Sequence, residues 1–112
     1  MNETQKGTVK WAEGVGIFEE SNPLKQHEKM QQEATEFRDE LVIVDVLSGL
    51  NRPASEIKEA LERAKKELGD LYVTADVQAA FLGTTPEECQ RMALEKNMAR
   101  TGKMENGLYK KD

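Results

Sequence analysis

Several residue types are scarce in this chain, and each shortage removes a class of protein. A single cysteine, Cys89, excludes an internal disulfide and fits a reducing compartment, so a cytoplasmic location is expected. No apolar run is long enough to span a membrane, and the N-terminus lacks the hydrophobic core of a signal peptide. Long β-branched runs are few, which argues against a sheet protein. There are three prolines, Pro23, Pro53 and Pro86, and each stands where a helix can begin. Basic residues are outnumbered by acidic ones, 16 to 21, for a net charge of −5. A nucleic-acid polymer is therefore not the expected partner. A metal-chelated nucleotide is not excluded, because carboxylates can hold the cation that holds the phosphates.

What remains is 112 residues, one domain's worth, with 33% of them charged and the apolar ones periodic. Helices with solvated faces follow, and the fold class is all-α. Residues 1–7 are polar and expected to fray, and the basic tail from Lys103 to Asp112 is expected to be flexible. A short helix limited by Gly14 and Gly16 is read over Thr8–Phe18, packing Trp11 inward. Asn22-Pro23 opens a second helix running to about Leu47, with Met30, Ala34, Phe37, Leu41 and Val44 as its stripe. A third runs from about Ser55 to Leu82, stopped by Gly83, with Leu61, Ala64, Leu68, Leu71, Ala75 and Leu82 inside. Gly69 within it implies a need for space, for close packing or a ligand. Thr85-Pro86-Glu87-Glu88 reads as a capping box opening a fourth helix that ends near Arg100.

The chemistry is suggested by two carboxylate pairs. Glu33 and Glu36 lie three apart on the second helix, and Glu67 and Asp70 three apart on the third. Residues at that spacing share a face, so antiparallel packing of the two helices lines one side of the seam with four acids. Such a group repels itself unless protonated or bridged by cations. Hard oxygen ligands suit Mg²⁺ or Mn²⁺, whose remaining positions take substrate phosphates. Against this stands the frequency with which acid-rich helices produce the same spacing as a solvated face; Glu40, Glu59 and Glu62 are of that kind.

Lys96 and Arg100 share a helix face, and with Lys103 they are candidates for phosphate contacts, although cations also favour a helix C-terminus for its own sake. Lys29, one turn before Glu33, is a similar candidate, and Gln26 a candidate for reading a base edge. His27 and Cys89 read as packed residues, and Trp11 as core before base stacking.

The two signatures, in QEATEF and KELGDLYV, resemble those of the all-α nucleoside triphosphate pyrophosphohydrolases, the superfamily of MazG, dimeric dUTPases and phosphoribosyl-ATP pyrophosphohydrolase. The rest of the chain resembles the small MazG-like proteins of phages and bacteria. Trp11-Ala12 leads to Gly16-Ile17, Pro23, Gln26 and Lys29 approach the glutamates, and Cys89, Arg100, Gly102, Met104 and Gly107 follow in order. The chain departs from the pattern in a long stretch between Glu36 and Glu67, owing to NRPASEIKEALERAKK, and in Gln32, where a further glutamate is common. The resemblance implies a four-helix-bundle-type fold and hydrolysis of a (d)NTP to monophosphate and pyrophosphate. Glu33, Glu36, Glu67 and Asp70 would bind Mg²⁺, or Mn²⁺, with Glu36 as the preferred base toward a water attacking the α-phosphorus. It also implies a homodimer or homotetramer. The alternatives are a helical adaptor without chemistry and a nucleotide-binding sensor without turnover.

Overall fold

In a computed structural model covering residues 1–112, the chain is mostly helical, with five helices and one small hairpin: α1 (Glu3–Val15), α2 (Ile17–Glu20), α3 (Pro23–Gly49), α4 (Ala54–Phe81), α5 (Pro86–Met98), β1 (Gly102–Glu105) and β2 (Leu108–Lys111). No helix is long and apolar enough to cross a membrane.

Local chemistry explains most boundaries. The polar N-terminus does not fray: the Asn2 side chain accepts from Gln5 N–H while the Gln5 side chain accepts from Asn2 N–H, a capping box that starts α1 five residues before the expected Thr8. Gly16, at φ 86°, breaks the segment into α1 and α2. Asn22 caps α3 through Lys25 N–H with Pro23 in the first turn. Asn51, at φ 52°, ends that helix, with Arg52 N–H donating back to Leu47 C=O. Thr85 caps α5 as expected, but Glu88 does not complete the box; its carboxylate pairs with Arg91 instead. The tail folds back on itself about Asn106-Gly107, both at positive φ, so that Glu105 faces Leu108 and Gly102 faces Lys111. That is the backbone geometry of a two-residue hairpin turn.

The centre of the molecule is the antiparallel pair α3/α4. Its register is fixed by two contacts: Arg63 donates to Glu40 at 3.2 Å, and at the open end Gln78 Nε2 donates to the Pro23 carbonyl at 3.0 Å. Helix α1 lies on α4 through buried Ala12, and Phe18 meets Phe81 edge-on at 4.9 Å between centroids.

The buried set overlaps the stripes expected of α3 and α4 only in part: Ala64 is buried, and Met30, Phe37, Val44, Leu68, Leu71 and Ala75 are half-buried. Only Ala12, Ala60, Ala64, Val77 and Ala79 form the apolar core. Ala34, Leu41, Leu61 and Leu82 are exposed, and Glu33, Thr74 and Asp76 are buried in their stead. Small residues let the helices approach closely at those positions, and this turns the larger side chains outward. His27 and Cys89, expected to be packed, are exposed. An added Cβ at Gly69 would meet nothing within 4 Å, so neither close helix packing nor any neighbouring group needs its space.

The outcome is an open molecule. Its radius of gyration is 17.2 Å, against about 13 Å for a compact domain of this length. Its accessible surface is 8430 Å², against roughly 6,200 Å² for a monomer of this mass. The C-terminal half of α3 and the N-terminal half of α4 form a two-helix arm along which Val42, Val46 and Leu50 lie exposed.

Asp76 gives a test of this packing. Burial pushes its carboxyl above the usual aspartate range, the charge of Glu87 adds to this, and the Thr8 hydroxyl offsets part of it. The folded chain therefore binds more protons than the unfolded one across that window, and stability falls as pH rises through it. Asp76→Asn is expected to raise the Tm at neutral pH by roughly 4 °C, with the difference closing near about pH 3, below the unfolded aspartate value. A lower Tm for the variant at neutral pH would mean that the ionised carboxylate is a structural acceptor.

Candidate metal centre and the adjoining cleft

Because α3 and α4 run antiparallel in the register just described, the residues that carry the two acidic signatures meet across the seam. Glu33, Glu67 and Asp70 each offer a ligand atom, and these atoms lie within 4.8 Å of one another. Glu33 is buried, Glu67 half-buried and Asp70 exposed, so the group opens to solvent on the Asp70 side. Glu36 is not among the converging three. It stands close enough for its charge to act on Glu67, and its Oε1 takes a long 3.4 Å hydrogen bond from Gln32.

Two oxygens decide how the cluster is read. Glu33 Oε2 and Glu67 Oε2 are shielded from solvent and have no hydrogen-bond partner. A buried carboxylate oxygen without a donor carries a large desolvation cost, and acids on a merely solvated face do not show it. Burial pushes the Glu67 carboxyl above the usual glutamate range, and the charges of Asp70, Glu36, Glu33 and Glu40 push it further. The only cation bonded to the cluster is Lys29, whose Nζ lies 2.9 Å from Glu33 Oε1. That hydrogen bond, and the Glu33 charge behind it, hold the lysine above its ordinary value. Three or four acids with one ammonium leave a net negative pocket. Hard oxygen donors, orphaned buried oxygens and excess negative charge together fit a divalent cation of the Mg²⁺ or Mn²⁺ type.

A cleft of about 340 Å³ begins at this cluster. Its charged wall is Lys29, Glu33 and Asp70, and its apolar wall Trp11, Ile17, Val73 and Val77, with Gln26 and Thr74 as the remaining polar lining. The helix register explains the arrangement. Moving from Glu33 back along α3 reaches Lys29 and then Gln26, while moving from Asp70 forward along α4 reaches Thr74 and then Val77. Trp11 is not a core residue, since 53% of its surface is open. The chain thus joins an acidic, cation-seeking end to an apolar end with an aromatic wall.

Of the residues singled out from the sequence, the structure brings Glu33, Asp70, Lys29, Gln26 and Trp11 to one cleft and Glu67 to the carboxylate cluster beside it. It does not bring Lys96, Arg100 or Lys103 there. Lys96 lies beside Cys89, Met92 and Ala93 on a separate depression, and Arg100 and Lys103 are exposed beyond it. Ile17, Val73, Thr74 and Val77 were not singled out. The signal for the last three was their position one and two turns after Asp70 on the same helix face.

No protein-family model, no curated protein and no solved structure matches the chain.

Without added metal, Glu67→Gln is expected to raise the Tm, since it removes one of the mutually repelling groups. Millimolar Mn²⁺ or Mg²⁺ is expected to raise the wild-type Tm by at least ~4 °C and to leave the variant nearly unmoved. Equal shifts in both proteins would place the cation elsewhere. The sign with pH is fixed by the raised Glu67 value: metal-free stability falls as pH climbs from the ordinary glutamate range through that raised value.

Proposed function

We propose that the protein is a Mg²⁺-dependent nucleoside triphosphate pyrophosphohydrolase of the MazG-like, four-helix-bundle kind, acting in the cytoplasm as a homo-oligomer. The observation that carries this reading is the convergence of Glu33, Glu67 and Asp70 with two buried, partnerless oxygens at the mouth of a half-apolar cleft. An adaptor protein has no need of such a cluster, whose cost falls on the folded state alone. A sensor without turnover would need the cluster but not a free acid beside it.

Glu33, Glu67 and Asp70 would hold the cation. When bound, Mg²⁺ supplies neutralisation of the phosphate charge and a lowered pKa for the attacking water. Glu36, outside the converging trio, would take the proton from that water. The water oxygen forms a bond to the α-phosphorus, the bridging α–β anhydride bond breaks, and pyrophosphate leaves with the electron pair. Lys29 would keep Glu33 oriented through Oε1 and present its remaining N–H donors to phosphate oxygens. Gln26 and Trp11 lie farther along the same cleft, toward the base.

The oligomer is supported by surface. Roughly 2,000 Å² per chain lies beyond the monomer expectation, enough for an obligate interface. The arm with Val42, Val46 and Leu50 is the face that a second copy would cover, two arms together making four helices. In such an assembly Lys96, Arg100 and Lys103 would act, if on phosphates at all, toward a neighbouring copy's cleft.

Two measurements test the proposal. Incubation with NTPs and dNTPs plus Mg²⁺ is expected to yield monophosphate and pyrophosphate, with Asp70→Ala inactive and Glu36→Gln slowed about 10²-fold in kcat while keeping a wild-type helical spectrum. Diphosphate with orthophosphate, or a fully active Asp70→Ala, would refute the assignment. Light scattering is expected to give a dimer or tetramer for the wild type and a smaller species for Val46→Asp; a wild-type monomer at micromolar concentration would remove the oligomer.

A further inference from the structure

Glu33 divides its carboxylate between two uses. Oε1 accepts from the Lys29 ammonium at 2.9 Å, while Oε2 is shielded from solvent and has no partner. The other ion pairs three or four residues apart on the helices join two side chains that are each at least 40% exposed. In this one the lysine is 51% exposed and the acid only 8%. Its order along the helix, lysine before glutamate, is the less favourable one, and exposed pairs of this kind contribute little to stability in any case. The pair belongs instead to the acidic cluster. The charges of Glu36 and Asp70 act on Lys29 together with that of Glu33, and Lys29 lines the cleft beside Glu33 and Asp70.

A divalent cation entering among Glu33, Glu67 and Asp70 therefore meets an ammonium already in place. Two positive charges a few ångströms apart oppose each other, by about tenfold in affinity or more at a site open to water. An anion relieves both, since phosphate oxygens coordinate a hard divalent ion and also accept from an ammonium.

We infer that Lys29 is the resident counter-ion of the metal centre: it holds Glu33 Oε1, leaves Oε2 to the cation, and keeps affinity for the bare cation low, so that cation and phosphate bind together. This inference rests on the metal reading of the cluster and goes beyond it by naming the residue that sets the cation's affinity and couples it to the anion. A lysine that only positioned Glu33 would act in the opposite direction, since its loss would loosen a ligand and weaken the cation.

The experiment titrates Mn²⁺ alone into the full-length protein at neutral pH, reading free Mn²⁺ by electron paramagnetic resonance and recording the Tm with and without the ion. Lys29→Met and Lys29→Gln are expected to bind Mn²⁺ about tenfold tighter than the wild type. Lys29→Arg, which keeps the charge, is expected to stay near the wild type. Both neutral variants are expected to have a lower Tm without metal, because the acids lose their bound cation, and a larger rise once it is added. A second arm needs no variant. Inorganic phosphate, at matched ionic strength and against a protein-free control, is expected to tighten Mn²⁺ binding to the wild type severalfold, and to do so less in Lys29→Met.

Equal or weaker Mn²⁺ binding by the folded neutral variants would overturn the inference while leaving the metal centre in place, with Lys29 a bystander or a positioning residue. Phosphate without effect on the wild type would overturn it too, and that arm decides the matter if neither neutral variant folds. Failure of Mn²⁺ to bind the wild type and both neutral variants would remove the metal centre itself, and this inference with it.

Discussion

Like charges held together at the α3/α4 seam are the constraint from which the rest of the structure can be understood. Glu33 is buried and Glu67 half-buried, and each has an oxygen cut off from water with nothing donating to it. Asp70 and Glu36 add their fields, and a single ammonium, Lys29, answers them. Two helices joined only by this contact would slide or splay. They are held in register by groups on either side of it, Arg63 on Glu40 toward one end and Gln78 on the Pro23 carbonyl at the other. Because Glu40 is neutralised by Arg63 and the other register contact is made by Gln78, the converging acids are not themselves the groups that hold the helix pair in register.

The same seam accounts for the thinness of the core. Close approach of helices needs small side chains, and four of the five buried apolar residues are alanines. Alanine contributes little apolar area, so this chain gains less from its own burial than its helical content implies. The leucines and valines that would normally compensate lie on outer faces, along the arm and on α4 near Tyr72. The β1/β2 hairpin stands in the same position: every residue of both strands is exposed, and a two-stranded ribbon on its own is marginal in water. These uncovered surfaces are what supports the proposed homo-oligomer.

Much of the fold was legible because it rests on local chemistry. Pro23, Gly83 and Thr85-Pro86 punctuate the chain where the helices start and stop, and signals of that kind act through one or two residues. The hairpin was equally local and was overlooked: Asn106-Gly107 is a strong two-residue turn signal, hidden by a charged tail that reads as disorder. The stripes of α3 and α4 agree with the structure only in part, for a different reason. Periodicity reports that a helix has an apolar face and not how deeply a neighbour covers it: Ala64 is buried and Met30, Phe37, Val44, Leu68, Leu71 and Ala75 are half-buried, while Ala34, Leu41, Leu61 and Leu82 are exposed. At the site, the three-residue spacing was enough to put Glu33 near Asp70 and Glu67, whereas the turning aside of Glu36 depends on rotamers that spacing does not encode. Thr74 carries only a weak sequence signal as a site residue, its place one turn after Asp70 on the same helix face.

Taken together, the acidic seam and the small core tie stability to occupancy. In a protein with a large apolar core, three converging carboxylates would be a minor local strain. Here few buried side chains oppose them, so a group that quenches their repulsion acts on a large share of the folding free energy. A ligand that binds only the folded chain stabilises it in proportion to the logarithm of its concentration over Kd, and a divalent cation at Glu33, Glu67 and Asp70 would do so while relieving an unfavourable interaction that already exists. Covering the arm with a second copy acts on the other deficit, the missing apolar burial. The two remedies concern different parts of the α3/α4 hairpin, the acids near its middle and the bare apolar stripe toward its tip. Neither by itself corrects both weaknesses of the isolated chain.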